Sequence, residues 1–532
     1  MNKRFAIILP LFFALTLIAG ILAGKYLLPG AGNATSLFSG SHYNKLNDVM
    51  NYIENDYVDT INKSKLLENA ISGLLETLDP HSVYIPAEEF NEANAPLAGN
   101  FDGIGVQFRL IRDTIVVINT VAGGPSEKEG IHAGDRIVKI DGKNVAGKKI
   151  TNDEVMKKLK GPRGTKVKVG IFRRDEHKMM DFMITRNVIP TYSVDVAYMV
   201  NGNIGYIKLN TFSATTTDEV YDAISSLLSQ GMKKLIFDVR DNGGGYLDAA
   251  INIADQFLPD KNMIVYTEGS HRARKNNYSK NGGLFENGSL VILINEFSAS
   301  ASEILAGAVQ DNDRGTIIGR RSFGKGLVQE QIKLRDGSAI RLTVARYYTP
   351  TGRCIQKPYS SDIYEYYMDF YKSLLDEDSE ASDSLNFNDT VRYKTPKGKI
   401  VYGGGGIMPD IYIPNKSEFV SAYYRKILSK SSLLSDFAFD YADQNRKKLR
   451  QYQNAKNFVA LFQISDDLFN DFVAYAASKG VARDDEGIKP AAPRLKVLLK
   501  ANIGRNIFDD LAFYPVYLQD DITFKKALEV LK

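Results

Sequence analysis

The segment Leu290-Val-Ile-Leu-Ile-Asn-Glu-Phe-Ser-Ala-Ser-Ala-Ser-Glu-Ile304 runs from a short apolar stretch through a polar turn into a helical pattern. Residues Leu290–Asn295 have the length and apolar content of a strand buried on both faces. Helical spacing begins at Ala301 and continues to Gln310. A strand followed at once by a helix is the unit of an α/β domain, so the segment predicts that fold for the surrounding chain.

The same alternation continues on both sides of this segment, and it closes with two strands around Asp336-Gly337, a strong hairpin signal. The further predicted elements are strand Ile204–Leu209, helix Thr217–Ser229, strand Lys234–Val239, helix Leu247–Phe257, strand Thr316–Ile318 and the hairpin strands Val328–Leu334 and Ala339–Tyr347.

The length of 532 residues requires several domains, so the predicted fold class is multidomain α+β. The predicted parts are an apolar N-terminal segment (5–24), a linker (25–42), a small helical region (43–96), a β-rich domain (97–187), an α/β core (188–414) with an acidic insertion (359–396), and a helical C-terminal extension (415–532).

The N-terminal run Phe5–Gly24 is uncharged and follows Lys3 and Arg4. At about 1.5 Å per helical residue it spans about 30 Å, the thickness of a bilayer core. We therefore expect a membrane anchor, with the bulk of the chain on the extracytoplasmic (periplasmic) side of the cell envelope. The alternative is a cleaved signal peptide, since small residues stand near the end of the run.

The composition excludes several classes of function. Net charge is +4, from 67 basic and 63 acidic side chains, and gives no reason to expect a nucleic-acid partner. The single cysteine, Cys354, excludes an intrachain disulfide and any multi-cysteine metal site. No histidine-rich metal motif occurs, so we expect no metal and no organic cofactor.

Ser300 stands where the predicted strand turns into the predicted helix. A serine at such a turn is exposed at the sheet edge, and the helix dipole places partial positive charge where an oxyanion would form. Ser300-Ala-Ser-Glu303 also fits the capping box S-x-x-E, in which the serine only caps the helix. From this segment alone both interpretations stay open.

Lys325 lies in Gly319-Arg-Arg-Ser-Phe-Gly-Lys-Gly326, which almost matches the phosphate loop G-x-x-x-x-G-K-[ST]. Gly326 stands where that loop needs a hydroxyl for magnesium, and a hairpin follows where a helix is required, so nucleotide binding is disfavoured. An exposed loop lysine is one alternative. The other is a general base, since burial lowers a lysine pKa and Ser-Lys pairs are known hydrolase variants.

A third segment, Phe237-Asp-Val-Arg-Asp-Asn-Gly-Gly-Gly245, places three glycines in the turn after a predicted strand. Glycines there allow backbone amides to face a ligand, as an oxyanion hole requires, although a flexible turn would have the same composition.

Together these segments resemble the carboxyl-terminal processing (tail-specific) peptidases over about residues 43–414. The matching motifs are Leu78-Asp-Pro-His-Ser82, Gly103-Ile-Gly-Val106, Arg240-Asp-Asn-Gly-Gly-Gly245, Ser298-Ala-Ser-Ala-Ser-Glu303, Phe323-Gly-Lys-Gly-Leu-Val-Gln329 and Gly406-Ile-Met-Pro-Asp410. The insertion and the long helical extension are not shared by the smaller members.

The resemblance implies a role for each site residue. Ser300, the middle serine of its run, would be the nucleophile, and Lys325 would be the general base. Gln329 would orient the lysine amine. The oxyanion hole would use the Ala301 amide and one amide of the Gly244–Gly245 turn.

The resemblance also implies that the α/β core is crotonase/ClpP-like and that the β-rich region is a PDZ domain, a partly open β-barrel. Its loop Gly103-Ile104-Gly105-Val106 would bind a peptide carboxylate while the peptide adds a strand. The expected function is that of an envelope serine endopeptidase that cleaves proteins with free C-terminal tails. A homo-oligomer is a further expectation. The alternative is a non-catalytic, membrane-tethered scaffold that binds C-terminal peptides.

Overall fold

A computed structural model of the chain describes residues 45–174, 176–359, 391–414, 421–430 and 432–532, together with Thr16, Tyr366 and Met368. Apart from Thr16, the predicted anchor (5–24) and linker (25–42) lie outside the described residues. Across the described ranges, no helix combines the length and apolar character that crossing a bilayer requires.

The chain divides into two compact units after Ile71. In the first unit, helix α1 (Lys45–Asp56) has no buried side chain. Helix α2 (Lys63–Glu76) spans the division and buries only Leu75. Both helices lie where the sequence predicts a small helical region.

The second unit begins with strand β1 (Val83–Ile85), helix α3 (Phe90–Ala98) and the β-rich domain. The elements of this domain are β2 (Asn100–Gly103), β3 (Val106–Ile111), β4 (Thr114–Thr120), α4 (Pro125–Lys128), β5 (Arg136–Ile140), β6 (Lys143–Asn144), α5 (Asn152–Leu159), β7 (Lys166–Arg173), β8 (Lys178–Thr185) and β9 (Asn187–Pro190).

The strands of the β-rich domain form an antiparallel sheet in the order β3-β4-β5-β7-β8, with β6 on β5, while β2 pairs with β9. Helix α5 starts at a capping box made by Thr151 and Glu154, and it buries Val155 and Leu159 in the apolar core of this domain. Because β3 comes first in the strand order, it lies at an edge of the sheet, where a further strand can add.

The α/β core follows. Its elements are β10 (Val194–Met199), β11 (Ile204–Leu209), α6 (Thr216–Ser229), β12 (Lys234–Asp238), α7 (Leu247–Asp255), β13 (Met263–Gly269), β14 (Arg272–Tyr278), β15 (Ser289–Ile294), α8 (Ala301–Asp311), β16 (Thr316–Gly319), β17 (Leu327–Lys333), β18 (Ala339–Tyr348), β19 (Arg392–Lys394), β20 (Ile400–Tyr402) and β21 (Ile411–Tyr412). The predicted α/β core is confirmed, with element ends shifted by one or two residues.

The main sheet of the core has the order β10-β11-β12-β15-β16-β21, and all strand pairs except β10·β11 are parallel. Helices α6, α7 and α8 bury their apolar faces on one side of it. The loops after β12, β15 and β16 leave the same edge of the sheet, because the carboxyl ends of parallel strands lie together. Ligand sites of α/β sheets are usually found at this edge.

A second sheet has the order β1-β18-β13-β14, with β17 paired to β18 as the predicted hairpin. The sequence analysis did not predict β13 or β14. Strand β14 (Arg-Ala-Arg-Lys-Asn-Asn-Tyr) lacks apolar alternation because nearly all of its side chains are exposed. Most of the predicted insertion (359–396) lies outside the described residues; its described end forms β19, which pairs with β20.

The C-terminal extension is helical, as predicted. Its helices are α9 (Ala422–Ser429), α10 (Leu433–Gln444), α11 (Arg446–Arg450), α12 (Ala455–Leu461), α13 (Asp466–Ser478), α14 (Asp485–Phe508), α15 (Asp510–Tyr517) and α16 (Ile522–Val530). The first seven helices, α9 to α15, contribute side chains to a core of their own. Leu518, Phe524 and Leu531, at the end of the chain, instead cover the second face of the main sheet.

The helical extension also contacts the β-rich domain. Phe439 of α10 is buried against Ile111 and Val116. Asp443 forms ion pairs with Arg136 at 2.8 Å and with Arg174 at 3.2 Å. The extension thus packs against both the β-rich domain and the core.

Candidate active site

Ser300 is the last residue of the turn between β15 and α8, and it is half-buried. Its φ of +56° is uncommon for a residue with a side chain. The neighbouring serines are buried, and their hydroxyls donate to the loop after β12: Ser298 to the Val239 carbonyl and Ser302 to the Asn242 carbonyl, both at 2.8 Å. Of the three serines in the run, Ser300 is the one that reaches the cleft described below.

Glu303, on the first turn of α8, joins the Ser300 turn to the Lys325 loop. Its Oε2 accepts the Ser300 N–H at 2.8 Å and the Lys325 N–H at 2.9 Å. Its Oε1 accepts the Ser322 hydroxyl at 2.6 Å and the Gly324 N–H at 2.7 Å. The backbone nitrogens of Ser300 and Lys325 are therefore no further apart than two hydrogen bonds laid end to end.

The Glu303 side chain accepts the Ser300 N–H, as in a capping box, and the Glu303 N–H donates to the Ser300 backbone carbonyl at 2.9 Å, so Ser300 stands at the cap position of α8. This does not exclude the other interpretation, because the same carboxylate also reaches the lysine loop. Burial raises the pKa of Glu303, while the four donors that face it oppose that shift.

Tyr347 of β18 connects the same two segments from another direction. Its buried hydroxyl contacts the carbonyl of Ser300 at 3.1 Å and the carbonyl of Lys325. A hydroxyl can donate only one proton at a time, so the two carbonyls share it. Ser300 and Lys325, the candidate catalytic dyad, are thus both anchored through their backbone carbonyls.

The Lys325 side chain lies just before β17 and points along it. Its Nζ donates to the Gln329 Oε1 at 3.1 Å. The Gln329 Nε2 in turn donates to the carbonyl of His81. His81 is neutral at ordinary pH, because burial lowers its pKa to about 4. The two hydrogen bonds of Gln329 hold its side-chain oxygen toward the lysine amine.

The amine of Lys325 lies in an environment that disfavours its charged form. Burial is the largest cause and the positive charge of Arg341 is the second; together they lower the pKa of Lys325 below 10.5, against the opposing charges of Asp79 and Glu303. A lowered pKa increases the fraction of Lys325 that is neutral, and the neutral amine is the form that can act as a base.

The glycine loop after β12 lies directly against the Ser300 turn. A Cβ on Gly244, whose φ is +97°, would lie 2.8 Å from the Ser300 Cβ and 2.9 Å from the Ala301 nitrogen. The Gly244 N–H is already bonded to the Asn242 Oδ1 at 2.9 Å. Within the described part of the chain, the N–H groups of Gly245 and Ala301 have no hydrogen-bond acceptor.

These groups share one cleft of about 740 Å³. Its walls come from α3, the glycine loop, the start of α7, the Ser300 turn and the β17–β18 hairpin, and they include Ser300, Lys325, Gln329 and both glycines 244 and 245. The phosphate-loop alternative for residues 319–326 is wrong, because strand β17 follows the loop where a helix would be needed.

The predicted peptide-binding loop Gly103-Ile104-Gly105-Val106 leads into the edge strand β3. The Ile104 carbonyl accepts the Ser126 N–H at 3.0 Å, and the Gly105 carbonyl accepts the Val121 N–H at 3.0 Å. In a trans peptide the N–H points opposite to the carbonyl. The N–H groups of Gly105 and Val106 therefore point away from residues 121–126, toward the open side of the loop.

Comparison with known proteins decides the family. The model of peptidase family S41 matches residues 203–364, and a PDZ domain model matches 103–184. The activating protease CtpB N-terminal domain matches 30–89, and a family of unknown function (DUF8443) matches 423–509.

The carboxy-terminal-processing protease of Bartonella bacilliformis is 38% identical over 347 residues, which cover 64% of this chain and 79% of that protein. The chain belongs to peptidase family S41. The carboxy-terminal processing protease CtpA of Bacillus subtilis is 34% identical over 66% of this chain and 75% of that protein. The structure of a photosystem II D1 C-terminal processing protease shares 28% identity, with a TM-score of 0.36, over 69% of this chain and 86% of that one.

As a member of family S41 with a PDZ domain, the protein is a serine-type peptidase that binds peptide or protein substrates. The family prediction, the PDZ domain and the helical C-terminal region are confirmed. The crotonase/ClpP-like likeness and the domain boundaries remain predictions.

Sequence reasoning missed the positioning residues of this S41 site. Glu303 was visible as the last residue of the capping box, but nothing in the sequence connects it to the lysine loop. His81 lies in the motif Leu78–Ser82 and Tyr347 at the end of a predicted strand, both far from Ser300 along the chain, and only the fold brings them to the site.

Proposed function

We propose that this S41 peptidase cleaves the C-terminal tails of protein substrates with Ser300 as nucleophile and neutral Lys325 as general base. The observation that carries the proposal is the Glu303 carboxylate. One of its oxygens accepts the backbone N–H of both residues at the edge of a single cleft.

In the first step the Ser300 Oγ bonds to the scissile carbonyl carbon, and its proton passes to the Lys325 Nζ. The carbonyl π-electrons move to oxygen, and the Ala301 and Gly245 N–H groups receive this charge. We assign the glycine role to Gly245 because the Gly244 N–H is bonded to Asn242.

In the second step the tetrahedral intermediate expels the amine, which takes the proton from Lys325 and leaves an acyl-enzyme. Water then attacks the ester with Lys325 as base, which releases the acid and restores Ser300. The role of Gln329 is to hold the amine through its Oε1, an acceptor that cannot itself titrate.

Tail recognition is assigned to the PDZ loop 103–106. The N–H groups of Gly105 and Val106 would bind the terminal carboxylate, and the tail would add a strand to the edge of β3. The apolar segment 5–24 would anchor the protein in the cell envelope with this domain outside the cytoplasm.

The dyad is tested with Ser300→Ala and Lys325→Ala, assayed on an unfolded protein with an apolar tail. Ser229→Ala, an exposed serine at the end of α6, is the control. Both dyad variants should lose cleavage while the control keeps it, and a fluorophosphonate serine probe should label the wild type but not Ser300→Ala. Turnover by either dyad variant at the wild-type rate would rule out the assignment.

A further inference from the structure

Arg341, on strand β18, lines the active-site cleft on the wall that carries Lys325. It lies directly across the hairpin from Gln331, and Gln329 lies across from Thr343. Side chains two residues apart on a strand share a face, and so do directly opposite residues. Arg341 therefore shares the face of Gln329, the residue that holds the lysine amine.

The guanidinium of Arg341 has unused hydrogen-bonding capacity. Its Nη2 donates to the Gln331 Oε1 at 3.2 Å, and none of the carboxylates in the described ranges forms an ion pair with it. Arginine carries five N–H donors. By contrast, Arg173, Arg240 and Arg320, which are also partly buried, each hold a carboxylate at 2.6–2.7 Å.

The acidic groups near this wall do not supply the missing partner. Asp248, the acidic side chain among the described residues that line the cleft, stands on α7 and is exposed. Asp79 lies on the same face of the hairpin, since the Thr343 hydroxyl donates to it. Its carboxylate already accepts the N–H groups of His81 and Ser82 and the Ser82 hydroxyl, and it forms no ion pair with Arg341.

We propose that Arg341 binds an anionic group of the substrate peptide, and is thus a specificity-determining residue for cleavage. The group is a carboxylate, from either an acidic side chain near the scissile bond or the terminus of a short leaving peptide. Guanidinium–carboxylate pairs are often bidentate, which fixes position as well as charge. This inference rests on the proposed function, since it requires the substrate to lie in the same cleft.

The structure supports a carboxylate rather than a neutral partner for two reasons. Among the described residues no carboxylate forms an ion pair with the Arg341 guanidinium, so its charge lines the cleft without a direct counter-charge. The cleft is also partly enclosed, so a charge-assisted hydrogen bond there is stronger than one in open water.

The test uses the full-length protein and pairs of peptides that differ only by Glu or Gln. The substitution is placed in turn at each of the three positions on either side of the scissile bond. A second set keeps Gln throughout and compares a free with an amidated C-terminus. Wild type should show at least one pair in which the anionic member has a kcat/KM about tenfold higher, the size of one charged hydrogen bond. The set in which the preference appears identifies the source of the carboxylate.

Arg341→Gln should abolish this preference while it still cleaves the neutral peptides. Arg346→Gln, an exposed residue of the same strand outside the cleft, should retain the preference. Arg341→Glu should invert the preference, so that a peptide with Lys at the same position is cleaved faster than the peptide with Glu. A loss of folding cannot produce such an inversion.

Two results would overturn the inference. One is a wild type that shows no preference in any pair. The other is an Arg341→Gln variant that slows the anionic and neutral peptides by the same factor, since this would mean that Arg341 acts on the peptide backbone or on Lys325 and not on an anionic group of the substrate. A failure of the proposed Ser300–Lys325 mechanism can be distinguished from a failure of this inference. In that case the wild-type protein would neither cleave any peptide nor be labelled by the serine probe.

Discussion

The Glu303→Gln substitution is the sharpest test of how the catalytic residues are held together. The carboxylate accepts hydrogen bonds at both oxygens, and Oε2 receives the N–H groups of Ser300 and Lys325. A carboxamide has one acceptor oxygen, and its NH₂ group can only donate. Whichever way the amide turns, two donors lose their acceptor.

The expected magnitude follows from the burial of the site. Glu303 is fully buried, so each donor that loses its acceptor costs about 1–3 kcal/mol. Two such donors lower the free energy of unfolding by about 2–6 kcal/mol. Displacement of the Ser300 turn against the Lys325 loop by about 1 Å should also reduce turnover by about 100-fold.

The measurements are urea unfolding followed by circular dichroism, and kcat/KM on a short peptide. Glu330→Gln is the control, because Glu330 lies on β17 in an exposed ion pair with Arg272, whose loss costs about 0–1 kcal/mol. If Glu303→Gln unfolded at the wild-type urea concentration and kept wild-type turnover, Glu303 would not be the link between nucleophile and base.

Three further predictions concern the base, the glycine loop and the domain interface. Because Lys325 must be neutral and its pKa lies below 10.5, kcat/KM should rise with pH and level off above that pKa; a profile that falls between pH 6 and 9 would contradict a lysine base. Gly244→Ala should reduce turnover by about 100-fold, since its Cβ would lie 2.8 Å from that of Ser300 and its φ is +97°; unchanged turnover would mean that this contact does not matter. Asp443→Ala should speed hydrogen exchange in β5, which carries its ion-pair partner Arg136, and should leave the hydrolysis of a short peptide unchanged. Equal exchange in the variant and the wild type would mean that this ion pair does not hold the PDZ domain against the helical extension.

Much of the fold could be predicted because its signals are local. Buried parallel strands such as Ile204–Leu209 are nearly continuous apolar runs, and the hairpin is marked by Asp336-Gly337. Strand β14 carries no such signal, since it is exposed and polar and exists only because β13 supplies its hydrogen bonds.

For the site, the sequence by itself determined the chemical groups and the local turn that presents one of them. The strand, the serine run and the start of α8 are contiguous, so the position of Ser300 follows from short-range geometry. The resemblance to the peptidase family then indicated Lys325 and Gln329.

Only the tertiary structure decided which groups meet. Glu303 reaches the Lys325 loop, the Gln329 amide reaches the His81 carbonyl, and Arg341 faces the cleft without a carboxylate partner among the described residues. These contacts join segments that are far apart along the chain. Hydrophobic burial in the core brings the segments together, and no local periodicity encodes that packing.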